Sequence, residues 1–157
     1  MSQDPTFRAE TLYRYSLAAT KIGNQGHSKI LLEEVIELVP SNATYQFELG
    51  NLLIGEKQFN DALKHLEIAN ALQPDNPRML AALGFIWFKL KDASQSVKFL
   101  EKAVRLAPTF ALGWFHLGNS QVALGDIQSA TESFKVAVQL QPTFTVAIDA
   151  LSKIKGK

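Results

Sequence analysis

Residues 111–144 read ALGWFHLGNSQVALGDIQSATESFKVAVQLQPTF, and these 34 residues hold a helix, a turn and a second helix. Leu112, Phe115, Leu117 and Val122 supply the apolar positions of the first helix. Gly125-Asp126 ends it, because glycine takes the left-handed conformation that closes a helix. Ile127, Ala130, Phe134, Ala137, Val138 and Leu140 then recur with the i, i+3, i+4, i+7 spacing of a second amphipathic helix. Pro142 stops that helix, since proline has no N–H to donate and clashes with the preceding turn.

The same pattern runs through the rest of the chain. Pro40, Pro74, Pro108 and Pro142 are spaced 34 residues apart, and so are Gly50, Gly84 and Gly118, each preceded by leucine. Ala69, Ala103 and Ala137 keep that interval, as do the small residues Ala62, Ser96 and Ala130. Four columns on one period define an internal repeat. Glycine inside a helix costs up to about 1 kcal/mol relative to alanine, so its regular return implies close helix packing.

A 34-residue helical hairpin with a large residue, Leu-Gly, a small residue, an aromatic or leucine, alanine and proline resembles the tetratricopeptide repeat. The third copy carries these as Trp114, Leu117-Gly118, Ala130, Phe134, Ala137 and Pro142. The second has Leu80, Leu83-Gly84, Ser96, Leu100, Ala103 and Pro108, and the first Gln46, Leu49-Gly50, Ala62, Leu66, Ala69 and Pro74. Extending the register backwards gives a divergent copy with Tyr15-Ser16, Ser28, Leu32, Val35 and Pro40. The expected organisation is an extension over 1–8, a divergent repeat over 9–42, and repeats at 43–76, 77–110 and 111–144. A capping helix over 145–155 packs back through Ile148, Leu151 and Ile154. Together, 9–157 are expected to form a single domain. The resemblance implies an all-α solenoid, a right-handed superhelix whose first helices line a concave groove.

By that resemblance the second, fifth, sixth, ninth, twelfth and thirteenth positions of each repeat face the groove. They place Tyr13, Leu17, Phe47, Asn51, Arg78, Phe85, Phe88, Phe115, His116 and Asn119 there. The aromatics among them form a stripe, and exposed contiguous apolar surface marks an interaction site. Aromatics at helical spacing also pack between neighbouring repeats, so that reading stands beside the first. Asn51 and Asn119 share a column in which an amide can bond the backbone of a bound segment. On this reading Phe47→Ala and Phe115→Ala weaken partner capture without unfolding the chain. The basic clamp by which some members of the family hold chaperone C-termini is not matched. Its five columns hold Phe47, Asn51, Ala82, Leu112 and His116, of which Asn51 alone fits.

Composition bounds the alternatives. The chain has 157 residues, 46% hydrophobic and 20% charged, with no cysteine. Its 16 basic and 15 acidic residues are interspersed, unlike a nucleic-acid-binding face. Lys153, Lys155 and Lys157 read as a solvating tail. The three histidines fall in different repeats and make no metal-ligand spacing, and Leu-Gly-Phe and Leu-Gly-Asn are helix interiors rather than phosphate loops. No basic and apolar leader opens the sequence and no apolar run would span a bilayer. The expectation is a cytoplasmic, non-enzymatic adaptor or scaffold, without metal or cofactor, that binds a hydrophobic or amphipathic peptide. The alternatives are a chaperone-like holder of an apolar client, of the type III secretion kind, and a self-assembling homo-oligomeric scaffold.

Overall fold

The computed structural model describes residues 4–155, the last by its backbone alone. Nine helices make up the described chain: α1 (Pro5–Lys21), α2 (Gln25–Leu38), α3 (Ala43–Gly55), α4 (Phe59–Leu72), α5 (Pro77–Lys89), α6 (Ala93–Leu106), α7 (Ala111–Leu124), α8 (Ile127–Leu140) and α9 (Thr145–Lys155). The fold is all-α. Two compact units divide it, Met1–Pro74 with α1–α4 and Asp75–Lys157 with α5–α9. Residues 5–8, read as part of an extension, form the first turn of α1; residues 1–3 lie outside the described residues. Of the basic tail, Lys157 lies outside them too, and Lys153 is exposed.

Helices α1, α2, α3, α5, α6 and α8 start where a short polar side chain takes up free backbone N–H groups, whereas α4 and α7 start at Gln58 and Phe110 without a side-chain cap. Asn42 Oδ1 accepts from the amides of Thr44 and Tyr45 at 2.9 and 3.3 Å, and Asn76 does the same for Arg78 and Met79. Asp92 and Asp126 cap α6 and α8 through the amides of Gln95 and Ser129. Each such cap contributes about 1 kcal/mol. The turns within hairpins share a geometry that the sequence hid. Gly23, Lys57, Lys91 and Gly125 all have positive φ, at 80°, 61°, 69° and 82°. Two lysines therefore hold a backbone conformation that glycine adopts without a steric penalty.

In unit 1, α1 packs on α2 and α3 on α4; in unit 2, α5 packs on α6, and α8 packs on both α7 and α9. The Leu-Gly column explains how closely hairpin partners approach. A Cβ on Gly50 would lie 2.9 Å from Leu66, one on Gly84 2.4 Å from Leu100, and one on Gly118 2.6 Å from Phe134. Leu66, Leu100 and Phe134 are essentially inaccessible to water, so each large side chain fills the space its glycine leaves. Serines in the alanine column are satisfied locally. Ser96 Oγ donates to the Gly84 carbonyl at 2.6 Å and lies 2.7 Å from Ser120 Oγ. Ser28 pairs with Thr20 at 2.7 Å. These hydroxyls carry no unmet polar cost into the core.

Candidate functional site

Helix α7 carries no charged residue, and Leu112, Phe115, His116, Asn119 and Val122 fall on one of its faces at helical spacing. Their neighbours in unit 2 come from α5 on one side and α9 on the other. Phe85 and Phe88 on α5 are half-buried, as are Phe115, His116 and Asn119 on α7. The rings touch in sequence. Phe85 and His116 have centroids 5.0 Å apart, His116 and Phe115 5.6 Å, and Phe115 and Phe144 5.1 Å, all tilted as aromatic quadrupoles prefer.

His116 is held well below its ordinary value, to about 4, first by burial among these rings and then by the nearby charge of Lys89. At neutral pH it is an uncharged aromatic contact. Lys89 is exposed, its Nζ 5.1 Å from the Phe85 ring centre and 5.8 Å from that of Phe88. Both distances lie within cation–π range.

Beyond Phe115 the face opens into a pocket of about 670 Å³. Phe115, Asn119, Val122, Ile127 and Phe134 form one side, and Val146, Asp149, Ala150, Lys153 and Ile154 of α9 the other. The α9 contribution was missed because the helix reads as a cap. Yet Val146, Asp149, Ala150 and Lys153 are the second, fifth, sixth and ninth residues of the period that opens at 145. The column rule applied once more would have found them. The packing face of α9 also differs from expectation: Ala147 is fully buried, whereas Ile148 is 37% exposed. A face centred on Ala147 runs through Ala150, Leu151 and Ile154, and Ile148 is turned out of it.

Unit 1 treats its expected residues differently. Leu17 and Asn51 line a separate pocket of about 370 Å³ together with Thr20, Glu48 and Glu56. Tyr13 is half-buried, its ring 4.9 Å from that of Tyr45. Phe47 is a correction. It is 7% exposed and belongs to the core, so it offers no surface to a partner, and Phe47→Ala would act on stability. Arg78, at the start of α5, is exposed. Among the described residues no three His, Asp or Glu side chains are grouped to hold a metal ion. No helix among them is long and apolar enough to cross a membrane.

Hairpins of one length, stacked glycine against large side chain and continued by an unpaired first helix, define a helical-repeat protein. Family models of the tetratricopeptide repeat match residues 53–114 and 111–144, and together run over more than half the chain. The chain belongs to the tetratricopeptide-repeat family. No curated protein matches it in sequence. Among solved structures it is similar to MamA, with a TM-score of 0.84 at 18% identity over 94% of this chain and 80% of that one. It is also similar to YrrB, a TPR protein with an unusual peptide-binding site, with a TM-score of 0.78 at 18% identity over 92% and 75% of the two chains. The first TPR of Spaghetti (RPAP3), bound to the HSP90 peptide SRMEEVD, aligns with a TM-score of 0.70 at 21% identity over 73% and 90%. At these identities the likeness is one of fold.

Proposed function

We propose that the protein is an interaction adaptor that holds an apolar or amphipathic segment of another protein on the α5–α7–α9 face of unit 2. The observation that carries this reading is the 670 Å³ pocket walled by Phe115, Val122, Ile127, Val146 and Ile154, with the Asn119 amide among them. That volume suits two or three large side chains of a ligand. Val122 and Val146 are 39% and 50% exposed, so the apolar wall meets water when nothing is bound. Covering it is favourable at about 25 cal/mol per Å². Asn119 can accept from and donate to a peptide backbone, which fixes the segment's register without reading its sequence. YrrB and the RPAP3 domain support the reading, as proteins of this fold that bind peptides.

The test uses random twelve-residue peptides displayed on phage. The protein is expected to enrich peptides with two or more large apolar side chains. Val146→Arg, at an exposed position, should lose them while keeping the melting temperature. Enrichment of the same peptides by Val146→Arg would refute the site.

A further inference from the structure

The inner helices of unit 2 are unequal in charge. On α5 and α7 the only charged residues are Arg78 and Lys89, and α9 adds Asp149, Lys153 and Lys155. Asp149 is thus the single carboxylate on the three helices that form the face. Two other cations of this unit pair with carboxylates, Lys102 with Asp75 at 3.0 Å and Lys135 with Glu132 at 2.6 Å. Lys89 has no carboxylate partner among the described residues. Its ammonium is instead drawn over Phe85 and Phe88, beside His116, at one end of the ring series that leads through Phe115 to the pocket.

We propose that the segment held on unit 2 is acidic as well as apolar, with an Asp or Glu carboxylate paired to Lys89 while neighbouring apolar side chains cover Phe85, Phe88 and Phe115. This rests on the reading of the face as a peptide site and adds the partner's chemistry. The rings lower the local dielectric on one side of Lys89, and a bound segment lowers it on the other. A charge-assisted hydrogen bond formed there is screened less than one in open water. Nothing on α5 or α7 would repel an approaching carboxylate. A basic segment would bring its charge against Lys89, so like-charge repulsion selects against it.

The experiment repeats the selection with three proteins: wild type, Lys89→Glu, and Lys98→Glu as a control on the exposed side of α6. Wild type and Lys98→Glu should enrich peptides with Asp or Glu within a few residues of an aromatic or branched side chain. Lys89→Glu should shift the enriched charge to Lys and Arg. A selected acidic peptide, measured by fluorescence anisotropy, should bind Lys89→Gln about fivefold more weakly, and wild type more weakly as salt rises. Apolar peptides with no acidic excess, or the same acidic excess from Lys89→Glu, would overturn the assignment and leave the peptide site standing. Failure of wild type to enrich any peptide would remove both.

Discussion

Gly84 and Leu100 stand so close that a methyl group on the glycine would lie 2.4 Å from Leu100 Cγ. Leu100 is fully buried and cannot swing aside into solvent. Gly84→Ala should therefore destabilise unit 2 by about 1–3 kcal/mol despite the better helix propensity of alanine. Gly55→Ala is the counterpart, because nothing lies within 4 Å of the added carbon. It should stabilise by up to about 1 kcal/mol. Urea unfolding of both variants checks the pair, and equal effects of the same sign would remove the packing explanation.

Lys57 and Lys91 occupy turn positions with φ of 61° and 69°. The Cβ clash in that region costs about 1–2 kcal/mol, part of which glycine gives back through its more flexible unfolded chain. Lys57→Gly and Lys91→Gly should each stabilise by roughly 0.5–1 kcal/mol. Thermal unfolding would show this as a raised Tm, and a lowered Tm for both would mean that lysine is not strained there.

Ser96 replaces the alanine of its column and bonds both Gly84 O and Ser120 Oγ. Ser120 keeps a second partner in the His116 carbonyl, 3.0 Å away. Ser96→Ala should cost about 1 kcal/mol, the ordinary net value of a satisfied hydrogen bond. Ser96→Val should cost more, because the alanine column has no room for a branched side chain. Chemical denaturation distinguishes the two, and equal costs would argue that size is irrelevant at this position.

His116 is depressed to about 4 in the folded chain against 6.5 for the free side chain. Between these values the unfolded chain binds more protons, so stability is complete above about pH 6.5 and is lost as pH falls toward 4. The full loss is roughly 3 kcal/mol. His65, also lowered by burial, acts in the same direction. His116→Phe should flatten the pH dependence across this window. NMR titration of the imidazole provides the direct reading, and a midpoint near 6.5 would show that the ring is not desolvated.

Much of this architecture is legible before folding is considered. A helix turns every 3.6 residues whatever surrounds it, so Leu117-Gly118, Ala130, Phe134 and Pro142 announce their roles by spacing alone. The partnership of Gly118 with Phe134 follows from volume. The candidate face was half legible. Phe85, Phe88, Phe115, His116 and Asn119 share one face of unit 2, but Val146, Asp149 and Lys153 of α9 were hidden by reading that helix as a cap.

The sequence by itself determined the period, the hairpins and the side of each helix on which a residue lies, since these depend on local geometry and side-chain size. Tertiary structure decided which of those residues meet water. Phe47 and Phe115 occupy the same column of their repeats, yet one is core and the other walls an open pocket. A column gives direction from a helix axis. Burial depends on the atoms that happen to stand opposite, and these belong to elements distant in the chain.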